Sequence, residues 1–178
     1  LRSSLLFSAL LSVSALAAAS QPKFALVYDA GGKFDRSFNQ SAYEGAERFK
    51  KETKISYIDV QVLSNAQGEQ VLRNLARKGI NLIAAIGFTH AQQVQTVAKE
   101  FPKTKFVIVD GAATGANVSS ILFKEQEGSY LVGVAAAMAS KSKKLGFIGG
   151  IDIPLIRAFV CGYTQGAKSV DPKIDVTQ

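Results

Sequence analysis

Two aspartates and a short polar run carry most of the chemistry this chain offers. Asp29 ends the apolar stretch Phe24-Ala25-Leu26-Val27-Tyr28, and Asp110 ends Phe106-Val107-Ile108-Val109. Between them, Ser37-Phe38-Asn39 supplies a hydroxyl, an aromatic ring and an amide in succession. An apolar run closing on a carboxylate, a turn at Gly31-Gly32 and a polar helix start make a strand–loop–helix junction. In open α/β sheets, ligands sit at such junctions. Carboxylates accept charge-assisted hydrogen bonds, and an amide both donates and accepts. Each residue also has a plainer use. Phe38 is in phase with Ala42, Ala46 and Phe49, so it equally fits the buried face of a helix. Ser37 fits an N-cap, Asn39 a helix start, and both aspartates fit loop caps.

Other chemistries find little support. Cys161 is the only cysteine and His90 the only histidine, so no metal is expected, nor a disulfide, a C-x-x-C motif or a zinc cluster. His90 reads as an ordinary polar residue at a helix turn. Gly31-Gly32 lacks dinucleotide spacing, and no phosphate-loop pattern occurs, so no cofactor is expected. The net charge of +7 is spread through helices and loops. Its tightest cluster, Lys141, Lys143 and Lys144, has no aromatic residue among it, which argues for a solvated face and against nucleic acid.

Strands and helices must position these residues. Residues 1–20 read as a secretory signal peptide: Arg2, an apolar core from Leu5 to Leu16, then Ala17-Ala18-Ala19. That core is shorter than the roughly 20 residues of a membrane span, and no lipoprotein cysteine follows it. A helix capped by Ser37 follows the first strand, then a strand near Ile55–Leu63 and a helix ending at Lys78-Gly79. Leu82–Gly87 is apolar on both faces, as in a covered parallel sheet. Thr89 is expected to cap the next helix, which Pro102 closes. The strand ending at Asp110 leads to another at Val118–Phe123. A helix then spans Glu125–Ser140, with Leu131, Val134, Ala135 and Met138 on its inner face. Alternation of this kind predicts an α/β fold with a mostly parallel sheet flanked by helices. Ser140–Lys144 reads as a crossover, placing one lobe at 21–143 and the beginning of a second, incomplete one at 144–178.

Four segments together resemble the basic membrane protein (BMP) family of bacterial substrate-binding proteins, which includes purine nucleoside receptors. They are Asp29-x-Gly31-x-x-x-Asp35-x-Ser37-Phe38-Asn39-Gln40 with Gly45; Phe106–Asp110; Phe123-Lys124-Glu125-Gln126-Glu127-Gly128; and Gly146–Ile156 with Gly162-Tyr163-x-Gln165-Gly166. The resemblance implies a periplasmic-binding-protein fold of type I, here the first lobe plus the start of a second. It also implies an extracytoplasmic protein that binds a nucleoside between two lobes and hands it to an ABC permease, with the membrane reached only through that permease. Asp29 and Asp110 would accept from ribose hydroxyls, Phe38 would stack on the base, and Asn39 would read its edge. Asp35 would order the loop, Asp152 a loop of the second lobe, and Ser37, Gly87 and Phe88 would border the cleft. A sugar or other polar ligand, a sensor role, and an enzyme using the two aspartates are the competing readings.

Overall fold

β1 (Phe24–Tyr28) lies in the interior of a five-stranded parallel sheet, paired on both sides, and both its faces are apolar. Ala25 and Val27 point to one side, Leu26 and Tyr28 to the other, and all four are buried. The computed structural model describes residues 23–178, so the segment read as a signal peptide lies outside the described residues. The remaining elements, in chain order, are α1 (Phe38–Thr53), β2 (Tyr57–Gln61), α2 (Asn65–Arg77), β3 (Leu82–Ile86), a 3-10 turn (Phe88–His90) and α3 (Ala91–Glu100). They continue with β4 (Lys105–Val109), β5 (Val118–Ile121), α4 (Glu125–Ala139), β6 (Lys144–Gly146), α5 (Pro154–Val170) and β7 (Asp175–Thr177).

The strand order is β2-β1-β3-β4-β5, so the chain reverses direction across the sheet between β1 and β3. With right-handed crossovers, that reversal puts α1 on one face and α2 and α3 on the other. The two cores follow suit. Leu72, Leu75, Val94 and Val97 pack on Ala25, Val27, Ile83 and Phe106, whereas Phe38, Ala42 and Ala46 pack with Leu26, Tyr28 and Ile86. Phe49 completes the expected face of α1, its ring set edge-on to Phe24 at 5.4 Å.

Two local expectations are corrected. Ser37 makes no side-chain cap; the Asp35 carboxylate accepts instead from the backbone N–H groups of Ser37, Asn39 and Gln40 at 2.9–3.1 Å. Thr89 caps nothing either, because the 3-10 turn carries the chain into α3. His90 does sit in a helical turn, but it is fully buried there, with Nδ1 2.9 Å from Gln93 Oε1.

The second correction of scale concerns α4. Its expected inner face is largely outside: Leu131 is 68% and Met138 74% exposed. The buried stripe is Ser129, Gly133 and Ala137, which meets Gly162, Gly166 and Ala167 of α5. The helices touch backbone to backbone, and Ser129 Oγ donates to the Phe159 carbonyl at 2.6 Å. Ala137 and Ala167 join Leu145, Ile174 and Val176 in a core of their own, roofing the parallel pair β6–β7. Leu122–Lys124 links β5 to α4, and residues 140–143 link α4 to β6.

A Cβ placed on Gly166 would lie 1.9 Å from the Tyr130 carbonyl oxygen. Gly166→Ala should therefore destabilise the chain by about 1–3 kcal/mol, the usual cost of overpacking. Gly128→Ala, in open space on α4, should be neutral or stabilising by up to about 1 kcal/mol. Urea unfolding of both variants tests this, and equal effects would contradict the close contact.

Candidate ligand-binding site

The C-terminal ends of β1, β3 and β4 lie side by side, so Asp29, Gly87-Phe88 and Asp110 share one edge of the sheet. Asp29 and Asp110 are two strand spacings apart, about 10 Å. The Gly87 N–H donates to the Val109 carbonyl at 2.9 Å and ties the middle tip to the outer one. This edge also contains the reversal point between β1 and β3, the place where open α/β sheets hold ligands.

At the first tip, Asn39 is buried, 1% exposed, and its amide nitrogen donates to Asp29 Oδ1 at 2.7 Å and to Asp35 Oδ2 at 3.2 Å. Both neighbours are acceptors, so the amide orientation is dictated by them. Asn39 Oδ1 is left buried without a donor. The expectation that Asn39 reads a base edge thus meets a different arrangement: its NH₂ group is spent on bracing two carboxylates. Burial pushes the Asp35 carboxyl up, but the N–H groups of Asn39, Gln40 and Ser37 and the Asn39 amide outweigh it and hold its pKa below the ordinary value. Asp35 is the anchor of the loop, as read from the sequence.

Two glycines let this network close. The Gly31 N–H donates to Asp29 Oδ1 at 2.9 Å, and a Cβ there would stand 3.0 Å from the same oxygen. Gly87 has φ +105, and a Cβ on it would stand 3.0 Å from Asp29 Oδ2. Phe38 is half-buried and packs with Leu26, Tyr28 and Ile86, so part of the ring serves the core while the rest is open. Ser37 is exposed at the mouth of the loop.

At the other tip, Asp110 adopts a left-handed backbone, φ 62, and lines a cavity of about 590 Å³ between the two cores. Phe88, Thr89, Phe123, Glu125 and Pro154 also line it. Burial first, and then the Glu125 carboxyl within hydrogen-bonding reach, raises the pKa of Asp110. Two carboxylates facing each other have no proton to share unless one is neutral. Accordingly Glu125 Oε1 is buried without a donor, as is the Thr89 hydroxyl oxygen. Asp29, Phe38 and Asn39 do not line this cavity; they form an adjoining shelf beyond Gly87.

Glu125 and Phe123 are the residues whose placement the sequence reading left undeveloped. Glu125 and Phe123 fall in one of the motifs, yet it is the pairing of β5 with β4, with the Asp110 N–H donating to the Ile121 carbonyl at 2.8 Å, that brings the segment after β5 to Asp110. Asp152 pairs with Arg157 at the start of α5, at 2.6 and 2.9 Å, and orders that loop. Among the described residues no group of three or more His, Cys, Asp or Glu side chains could hold a metal, and no helix is long and apolar enough to cross a membrane.

The family model described as "Bmp: ABC transporter substrate-binding protein PnrA-like" matches residues 23–178. The ABC transporter nucleoside-binding protein BmpA of Lactococcus lactis is 42% identical over 161 residues, covering 86% of this chain and 46% of that protein. Basic membrane protein A1 of Borrelia garinii is 35% identical over 161 residues, covering 88% and 47%. An ABC transporter solute-binding protein of Aeropyrum pernix superposes with a TM-score of 0.78 at 30% identity, covering 88% of this chain and 46% of that one. The chain spans about half the length of these relatives. Such relatives are binding proteins of transporters rather than enzymes, and their architecture is that of periplasmic binding proteins of type I. By the extent of the family match and the architecture together, this chain belongs to the Bmp family of PnrA-like ABC transporter substrate-binding proteins.

Proposed function

We propose that the chain supplies one wall of the nucleoside site of an extracytoplasmic ABC importer receptor, with a purine nucleoside as its ligand. The observation that carries this reading is the surplus of acceptors along the strand tips. Asn39 Oδ1 and Glu125 Oε1 are buried without donors, beside the carboxylates of Asp29 and Asp110. A ligand that satisfies such an edge brings several O–H or N–H donors and no negative charge, which suits a nucleoside and disfavours a nucleotide.

In this reading Asp29 and Asp110 accept from the sugar hydroxyls, and the exposed part of the Phe38 ring takes the flat base. Asn39, itself buried, holds Asp29 in place and acts on the ligand through that carboxylate. Gly87, Phe88 and Ser37 border the ligand, and Phe123 and Glu125 close the far side. Closure of a second lobe over this edge would expel water and create the form that the permease recognises. The name of the Lactococcus lactis relative supports the nucleoside class. The two aromatic rings at the edge, Phe38 and Phe88, favour a base over a plain sugar.

Calorimetry of a protein carrying this chain, with inosine, guanosine, adenosine and ribose, tests the assignment. Heat of binding is expected with at least one nucleoside and not with ribose. Binding of a sugar or amino acid in place of every nucleoside would overturn it. Phe38→Ala should weaken nucleoside binding by about ten- to a hundred-fold, the worth of one stacked base. Unchanged affinity would return Phe38 to the core of α1.

The acid side of the pH profile gives a second test. Binding by hydroxyl donation needs Asp110 ionised, and its raised pKa makes affinity fall at a higher pH than an ordinary aspartate would on acidification. Glu125→Gln removes the facing charge, lowers that pKa and should move the fall to lower pH. A midpoint that does not move would remove Glu125 from the site.

A further inference from the structure

The edge of the main sheet opposite the candidate site is strongly basic, and the fold itself gathers the charge there. All strands run parallel, so every segment that enters a strand lies at this one pole. The entries to β1, β2, β3 and β4 carry Lys23, Lys54, Lys78, and Lys103 with Lys105. All five side chains are exposed, and none takes part in an ion pair found among the described residues. No Asp or Glu occurs in the segments 54–56, 78–81 or 101–105. The basic last turns of α1, α2 and α3 end at the same pole. Lys54 and Lys78 are themselves the C-caps of α1 and α2, and these last turns bring Lys50, Lys51, Arg77 and Lys99 to the pole along with Glu52 and Glu100, so the pole keeps a net positive charge.

The opposite edge holds Asp29, Asp35, Asp110 and Glu125 against Lys33, Arg36 and Lys124, so the excess of positive charge lies at the strand-entry pole. Asn81 ties three of these strand entries together: Lys23 N–H donates to Asn81 Oδ1 at 3.1 Å, and Lys105 N–H to the Asn81 carbonyl at 2.8 Å. Residues 1–22, with the apolar run Leu5–Leu16, join the described chain at Lys23, on this same pole.

We propose that this lysine-rich pole docks the folded unit on an anionic phospholipid bilayer, with the ligand edge turned away from the lipid. The negative surface potential of such a bilayer attracts clustered lysines and reaches about one Debye length, roughly 10 Å at 0.1 M salt and 3 Å at 1 M. The arrangement adds a direct lipid contact to the expected route through a permease. It does not depend on which ligand the opposite edge binds.

Sedimentation of the full chain with vesicles of phosphatidylcholine, with and without phosphatidylglycerol, tests the proposal. Residues 1–22 carry a single charged side chain, Arg2, so the difference between the two kinds of vesicle reads the pole. At low salt we expect binding about tenfold tighter or more to the phosphatidylglycerol vesicles, and loss of that excess near 1 M salt. The variant K54E/K78E/K103E/K105E should retain only the binding seen with pure phosphatidylcholine. A control of equal charge change on the α4, α5 and β6 side, K141E/K144E/K168E/K173E, should keep the excess. The milder K78E/K103E, expected to lose part of it, serves if the fourfold variant fails to fold by circular dichroism. Equal binding to the two vesicle types, or equal loss in the control and pole variants, would overturn the proposal.

Discussion

The amide of Asn39 holds two carboxylates that would otherwise repel each other across a glycine turn. Asp29 belongs to the end of β1 and Asp35 to the start of α1, so one NH₂ group fastens strand, loop and helix together. Asp35 is tied down a second time by three backbone N–H groups of α1, which satisfies helix donors that have no partner within the helix. The consequence is electrostatic preorganisation. Asp29 is held at the sheet edge with one oxygen committed and the other facing Gly87. A binding protein profits from such order, because a wall already in place has less entropy to lose when the ligand arrives.

The strand order then decides what that wall can be. Because β1 lies between β2 and β3, its tip stands beside the tip of β3, and β4 follows. Two aspartates about 80 residues apart in the chain thereby come within about 10 Å of each other. The same rule that collects acids at one edge collects strand entries at the other, where lysines dominate. The second core closes the far side of the cavity by a different principle. Glycine and alanine along α4 and α5 let two backbones touch, so the start of α5 approaches Asp110 and Glu125.

Much of this was legible in the residues. Continuous apolar runs located β1, β3 and β4, and helical apolar spacing located α1 to α3, because those elements bury side chains in a covered sheet. Asp35 as loop anchor and Asp152 as a loop residue could be read from their places in the motifs. What could not be read follows from packing. Leu131 and Met138 mark an apolar face of α4, yet the contact chose Ser129, Gly133 and Ala137, since close helix approach rewards small residues rather than hydrophobic ones. Ser37 looked like the cap, but a carboxylate two residues earlier reached the same donors. The pairing of Asp110 with Glu125 depends on β5 lying beside β4, so that the chain leaving β5 passes Asp110, a strand pairing with no local period. His90 was hidden similarly: only the 3-10 turn carries it inward.

The account rests most directly on the Asn39 clamp and on Asp35 as its anchor. Carbon-detected NMR titration of the Asp35 carboxyl, in the natural chain and in Asn39→Ala, measures both at once. The account predicts that Asp35 titrates below an ordinary aspartate in the natural chain. The value should rise part of the way back in Asn39→Ala, where the side-chain donor is gone and the backbone donors remain. An Asp35 that titrates at or above the ordinary value, or that is indifferent to the loss of Asn39, would contradict it.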